Sequence, residues 1–392
     1  MSRWWLRGAV SGCALLFLLT GCWDITQPEP LTIPVLLAVD RTPPQGLRVA
    51  VEADVPQMMS APGTSNGSGG SRPTWVVEGT GATLTEALRH TGLDFPNRNP
   101  LTFAHLRVVV LSQTVLQSPA FSGVIDRLAR APYLHRTFWL LATDGSAAPY
   151  AKTVNPVGPD PVEVLEDALR ALQHDGSAYP TRFYRCLERW ENRPFAVVPL
   201  PLLALRSEPG LPEASDFTVV GAVVTAASGA VGRWSPDQVA TWGLLTNRRP
   251  SVLLTVPSGK GQWVLQVVSE HFELRVTRQA LEVKGAVGVS IDEVDGHPNP
   301  LPLSTLSQQA AQQLAQRAVQ LVHWTQVHHV DAFTLYPRTE RLGPLASPPA
   351  PAAWMAHYAA LPVRASVRVT VRNAGSLLPT HPILSYHPSA TS

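Results

Sequence analysis

Cysteine is scarce in this chain of 392 residues, which contains Cys13, Cys22 and Cys186 and no others. The first two lie near the N-terminus, in a stretch with the features of an export signal. Cys13 would be removed with that signal, and Cys22 is the predicted point of lipid attachment. The mature chain would then keep one thiol, so it can form no internal disulfide and must be stabilised by hydrophobic cores.

Charge is sparse as well, since charged residues make up 15% of the chain and the net charge is +2. Such a balance creates no strong basic field, so we predict no binding to nucleic acid. Hydrophobic residues make up 45%, with eleven Trp and ten Phe. This composition is typical of a globular protein, and the length suits two or three domains.

Motifs of common catalytic sites are missing from the sequence, including a G-x-S-x-G elbow, a Walker loop and an H-E-x-x-H pair. Gly79 and Gly81 follow a predicted strand, but the third glycine of a nucleotide loop is missing, which favours a plain turn. His323, His328 and His329 cluster, yet zinc would need further ligands at helical spacing. We therefore predict no catalytic residue, no metal site and no cofactor.

Two other groups of residues have a structural interpretation. Glu163, Glu166 and Asp167 are predicted to form the solvated face of a helix. Cys186 lies within an apolar helical stripe, which predicts a buried and inert thiol rather than a partner-binding face. The stripe consists of Phe183, Leu187 and Trp190.

The N-terminal stretch has the layout of a lipoprotein signal. Arg3 and Arg7 precede an apolar run that is too short to span a bilayer. The run ends in Leu19-Thr20-Gly21-Cys22, which resembles the bacterial lipobox. The resemblance implies cleavage between Gly21 and Cys22 and attachment of diacylglycerol to Cys22. We expect the mature chain to be anchored to the outer face of a membrane by its first residue.

Periodicity predicts an α+β fold with mixed or antiparallel sheets packed with helices in successive domains. Strands are expected at 31–39, 47–55, 75–77, 106–111 and 138–142, with a proline-interrupted edge strand or linker at 196–205. After a hairpin ending at Trp234, a meander is expected from strands at 252–256, 263–268, 272–277 and 286–291. The long helix at 305–326 is predicted to lie across the sheet that contains a strand at 363–371, with an apolar stripe of Leu306, Ala310, Leu314, Ala318, Leu321 and Val322.

Composition also sets the expected domain boundaries. Residues 1–21 are the signal peptide and 22–206 an N-terminal region, for which a division near 150 stays open. A linker at 207–216 then leads to an α+β domain at 217–376 and a disordered tail at 377–392. The Gly/Ser-rich stretch at 60–73 is predicted to be a flexible loop.

Several of these features together resemble the Ger(x)C family, the lipoprotein subunits of spore germinant receptors. Cys22-Trp23-Asp24 is similar to the lipidated cysteine of that family and the Trp-Asp that follows it. Further similarities are the Gly/Ser-rich loop, the stretch Gly79–Leu88, the strand region Phe103–Leu111, and the order of the long helix, Asp331-Ala332-Phe333, Trp354 and Gly375. The chain departs from the family after Asp331, where a glycine is usual and Phe333 and Thr334 stand instead.

The resemblance implies a non-enzymatic subunit anchored at the outer face of the spore inner membrane. Its implied partners are a multi-spanning A subunit and a transporter-like B subunit in a nutrient receptor. An alternative is a solute-binding lipoprotein of an importer, which would need two similar lobes around a cleft. A tethered hydrolase is a further alternative, but no nucleophile–base pair can be assembled from the sequence.

Overall fold

The computed structural model describes residues 33–54, 74–94, 103–152, 161–206, 216–248, 251–299, 301–336 and 349–373. The predicted signal peptide, Cys22, the loop at 60–73 and the tail at 377–392 lie outside the described residues. Of the predicted linker at 207–216, the structure describes Asp216 alone.

The first sheet is mixed and contains nine strands within the described residues. Its order is β3-β2-β1-β4-β5-β7-β8-β9, and β6 pairs with β5. Pairing is parallel from β1 through β4 and β5 to β7 and antiparallel elsewhere. The strands are β1 (Ile33–Thr42), β2 (Gly46–Asp54), β3 (Thr74–Gly81), β4 (Val108–Ser112), β5 (Trp139–Thr143), β6 (Thr181–Arg182), β7 (Val198–Arg206), β8 (Asp216–Ala226) and β9 (Gly229–Trp234).

Helices cover both faces of this sheet, which is why β4 and β5 are buried along their whole length. One face packs against α1 (Leu84–Asp94), α2 (Gln113–Leu116), α3 (Ala120–Arg130) and α5 (Phe183–Asn192). The other face packs against α4 (Pro161–His174), which contributes Val162, Leu165 and Leu169 to the core.

The second sheet has the order β10-β11-β12-β13, in which the last pair is parallel. Its strands are β10 (Leu253–Ser258), β11 (Lys260–Val276), β12 (Leu281–His297) and β13 (Val363–Asn373). The associated helices are α6 (Pro236–Leu245), α7 (Leu303–Val327) and α8 (Pro351–Ala360). Ser235 caps α6 in a capping box with Gln238, as the Ser-x-x-Gln pattern of the sequence favours.

The predicted long helix is confirmed as α7. Its stripe from Leu306 to Val322 is buried in one core with residues of β10, β11, β12 and β13. Alternate residues of β13 from Val363 to Val371 pack against the same core. The expected α+β class, with one long helix across a C-terminal sheet, is therefore confirmed.

The predicted meander was wrong in its division into strands. The segment 263–268 and all but the last residue of 272–277 belong to one long strand, β11. A register shift between Val267 and Ser269 accommodates the interruption, because Val268 has no partner opposite it and its side chain is 51% exposed. The sequence pattern changes at this bulge although the strand continues.

The strand at 196–205 was predicted at an edge or in a linker, and that prediction was wrong. It is β7, which lies inside the sheet between β5 and β8. Pro199 and Pro201 are two residues apart and therefore have the same orientation. Both pair opposite β8, whereas the ladder to β5 begins only at Leu202. Neither proline lies in the part of β7 that pairs with β5, so its missing N–H group removes no hydrogen bond from that ladder.

The two sheets do not divide at the predicted linker. Strands β8 and β9 follow residues 207–215 and still belong to the first sheet, so the sheets change between Trp234 and Leu253. Val224 and Trp234 also lie in the core that contains α7. Strand β8 pairs with β7 and extends the first sheet. The domain boundaries given by the sequence composition remain a prediction.

Candidate functional site

A groove of about 520 Å³ lies beside α5, between the end of α4 and the segment that follows α6. Arginines line it at Arg182, Arg185, Arg189, Arg193 and Arg248. Among the lining residues that the structure describes, Glu188 is the one carboxylate. A volume of this size is typical of sites for small molecules.

The arginines face the groove because the opposite face of α5 is apolar. Phe183, Cys186, Leu187 and Trp190 are buried against the first sheet, which confirms the predicted core stripe. Burial also raises the pKa of the Cys186 thiol to about 12, so it stays protonated at neutral pH. The spacing of three or four residues between successive arginines places them together on the remaining face.

One end of the groove already contains a counter-charge. The guanidinium of Arg182 lies 3.6 Å from the centroid of the Trp139 ring and 3.8 Å from Glu166. Its Nη1 donates a hydrogen bond to the carbonyl of Thr137 at 2.6 Å. Burial lowers the pKa of Arg182, and the charge of Glu166 opposes that shift. Arg182 is thus held in place by an aromatic ring, a carbonyl and a carboxylate.

The prediction of a solvated acidic face was wrong for Glu166. Glu163 and Asp167 are exposed, but the Glu166 residue is only 6% exposed. Its carboxylate accepts hydrogen bonds from Nε and Nη2 of Arg107 at 3.2 and 2.7 Å. Glu166 follows Leu165 on the side of α4 that packs on the sheet, which brings it to Arg107.

Two of the guanidinium groups that line the groove lie beside one indole ring. Arg248 lies 4.4 Å and Arg189 5.8 Å from the centroid of Trp242. Within the described part of the chain, no carboxylate oxygen lies within 4 Å of either guanidinium. Arg248 also lies 5.4 Å from the ring of Tyr179.

The surroundings of Arg189 and Arg248 disfavour their positive charges. Arg248 is exposed, but the protein around its guanidinium group removes part of its hydration. This desolvation, followed by the nearby charge of Arg189, lowers the pKa of Arg248 to about 10. Desolvation, followed by the charge of Arg193, also lowers the pKa of Arg189.

The buried Asp331 holds the backbone of the segment that contains Thr334, a lining residue of the groove. Its carboxylate accepts hydrogen bonds from the backbone N–H groups of Phe333, Leu335 and Tyr336 at 2.8–3.1 Å. Burial raises the pKa of Asp331, and the N–H donors act in the opposite direction. Thr334, which lines the groove, has a φ of 58°. This left-handed conformation favours glycine, the residue that the family resemblance leads one to expect near this position.

The histidine cluster has a structural role where it is described. The ring of His328 stacks on Trp324 with centroids 3.9 Å apart, while His323 and His329 are exposed. In the described residues, no group of three or more His, Cys, Asp or Glu side chains could hold a metal ion. Gly79 and Gly81 lie against α1, where a Cβ atom would collide with Ala87 or Glu86.

Sequence reasoning did not find the groove. The signal was the row of arginines at 182, 185, 189 and 193, which lies opposite the apolar stripe that the same reasoning identified. Arg248, Trp242 and Thr334 come from distant parts of the chain, and only the fold brings them to α5.

Comparison with known proteins identifies the class. The family model described as spore germination protein N-terminal domain matches residues 24–203. Within the described part of the chain, no helix is long and apolar enough to cross a membrane. The crystal structure of the GerBC protein has the same fold, with a TM-score of 0.52 and 15% identity over 89% of this chain and 100% of that one.

Three proteins of Bacillus subtilis (strain 168) are similar in sequence. YfkR, named as a spore germination protein, is 24% identical over 71% of this chain and 70% of its own length. Spore germination protein B3 and spore germination protein A3 are each 27% identical, over 42% and 34% of their own lengths. The family model and these similarities support the predicted resemblance to the Ger(x)C family of spore germination proteins.

Proposed function

We propose that this chain is a lipid-anchored, non-enzymatic subunit of a spore germinant receptor. The observation that carries the proposal is the family match, which begins at Asp24, two residues after Cys22 of the lipobox. The diacylglycerol on Cys22 would hold the folded chain at the outer face of the spore inner membrane. Two acyl chains suffice for stable anchoring, whereas one gives marginal binding.

In this role the chain supports partner subunits and performs no reaction. A multi-spanning A subunit and a transporter-like B subunit would supply the membrane-embedded parts of the receptor. The fold is consistent with a supporting role, because two sheets share packed helices and Val224 of the first sheet lies in the core around α7. The rival solute-binding protein would have two similar lobes. In the described residues, a mixed sheet of nine strands and a sheet of four strands are unlike each other.

The anchoring is tested with Cys22→Ala in the full-length chain, with Cys13→Ala as the matched control. Cys13 lies in the same signal region but not at the predicted cleavage site. We expect Cys22→Ala to abolish lipid labelling and to move the protein out of membranes washed with high salt, whereas Cys13→Ala should behave like the wild type. Retention of Cys22→Ala in the washed membranes would contradict lipid anchoring.

The receptor role is tested in spores that lack the gene for this chain. Wild-type chain should restore nutrient-triggered germination, and Cys22→Ala should not. The A and B subunits should also co-purify with the wild-type chain from detergent-solubilised membranes. Restored transport of a solute without any effect on germination would favour the importer protein instead.

A further inference from the structure

We propose that the arginine-lined groove beside α5 binds a small oxyanion that carries two or more negative charges in carboxylate or phosphate groups. The site is centred on Arg189 and Arg248, which lie over the same indole ring of Trp242. This inference rests on the groove alone and does not depend on the proposed receptor role.

The first argument is charge balance. Among the described residues, five arginines and one carboxylate line the groove, and Glu166 lies near Arg182. Arg189 and Arg248 have no carboxylate within 4 Å in the described residues. The charges of Glu188 and Asp331 offset part of the charge of Arg189, but neither carboxylate pairs with it directly. Like charges held together repel each other, and an anion placed between the two guanidinium groups would remove that repulsion.

The second argument is geometry. Trp242 is buried and its Nε1 donates a hydrogen bond to the carbonyl of Ala332 at 2.9 Å, so the ring that both arginines face is fixed. Tyr179 packs edge-on against Trp242 with ring centroids 5.4 Å apart. A guanidinium on a fixed aromatic surface is already oriented, and its fork of N–H donors matches a carboxylate or phosphate.

The third argument concerns size. The groove holds about 520 Å³, which is within the range of sites for small molecules. Arginines along α5 from Arg182 to Arg193 extend over about 16 Å at 1.5 Å per residue. That length allows separate anionic groups of one ligand to meet different arginines, which favours a ligand with more than one negative charge.

The test is titration calorimetry on the full-length chain in detergent, at about 150 mM salt so that weak surface attraction is screened. Citrate and pyrophosphate are the two probes, one for carboxylates and one for phosphates. We expect at least one of them to bind. Arg189→Ala and Arg248→Ala should each weaken the binding about tenfold or more, because each removes charge-assisted hydrogen bonds.

Controls separate the site from general attraction and from unfolding. Arg368→Ala removes an exposed arginine on β13 and should leave the affinity unchanged. Glu188→Gln removes the carboxylate of the groove and should tighten binding, a gain that a damaged fold cannot produce. Arg248→Lys keeps the charge but loses the fork, so its affinity should fall between those of the wild type and Arg248→Ala.

Three results would overturn the proposal. The first is that neither probe binds with a dissociation constant below about 10 mM, since weaker binding corresponds to very little binding free energy. The second is an equal loss in Arg368→Ala, which would show nonspecific attraction. The third is binding of polyglutamate with no binding of either small probe, which would assign the groove to an acidic polypeptide.

Discussion

Glu166 on α4 and Arg107, the residue before β4, form a partly buried ion pair, with Oε2 of Glu166 2.7 Å from Nη2 of Arg107. The side chain of Glu166 is 8% exposed and that of Arg107 30% exposed. Arg170 and Arg182 approach the same carboxylate at 3.5 and 3.8 Å. One carboxylate therefore links α4 to the sheet and to the end of the groove.

Removing the charge of Glu166 should destabilise the protein. Glu166→Gln removes the negative charge that accepts two hydrogen bonds from Arg107, and we expect a loss of about 1–3 kcal/mol in the free energy of unfolding. Asp167→Asn is the matched control, because Asp167 is 64% exposed and its partner Arg170 is 55% exposed. That change should alter stability by less than about 1 kcal/mol. Denaturant melts compare the two, and equal effects would show that the buried pair contributes no more than the exposed one.

The apolar stripe of α7 should be essential for stability. Leu314 is 2% exposed in the core between α7 and the second sheet. Leu314→Ala should cost about 2–5 kcal/mol, since it removes buried methyl groups and leaves a cavity. Gln312→Ala, at an exposed position of the same helix, should have almost no effect. The melting temperatures of the two variants are compared in the absence of partner subunits. If Leu314→Ala left the melting temperature unchanged, the stripe would not form part of the core.

Gly243 in α6 should be intolerant of any side chain. A Cβ atom there would overlap the hydroxyl and ring of Tyr179, which is 3% exposed and packs edge-on against Trp242. Gly243→Ala should destabilise by about 1–3 kcal/mol through overpacking, although alanine favours a helix.

Gly123 in α3 provides the control for Gly243, because nothing lies within 4 Å of a Cβ atom there. Gly123→Ala should stabilise the protein by about 0.4–1 kcal/mol through the reduced entropy of the unfolded chain. Urea midpoints measure both variants. If both changes were stabilising, Tyr179 would not pack tightly enough against Gly243 to exclude a methyl group.

Local periodicity was sufficient to predict those elements whose structure depends mainly on their own sequence. The stripe from Leu306 to Val322, the capping box at Ser235 and the alternation along β13 were all readable in the sequence, and the structure contains each of them. These patterns repeat over many residues or fix one helix end, so the identity of the neighbouring element matters little.

Prediction failed where the structure of a segment depends on elements that are distant in the sequence. The position of β7 inside the sheet depends on β5 and β8, and the continuity of β11 through Val268 depends on β12. Glu166 is buried because Arg107, far away in the sequence, lies beside it. The groove depends on Arg248 and Trp242 meeting α5, and periodicity within one segment contains no such information.

The parallel pairing of β12 with β13 has a consequence for the order of folding. Leu281 lies opposite Val363, and the segment between these strands includes α7 and α8. The second sheet gains its fourth strand only after residues 363–373 have been made, and until then the stripe of α7 lacks part of its cover. Contacts so distant in the sequence form slowly. The C-terminal half should therefore acquire its protection from proteases late, after the first sheet has already become resistant.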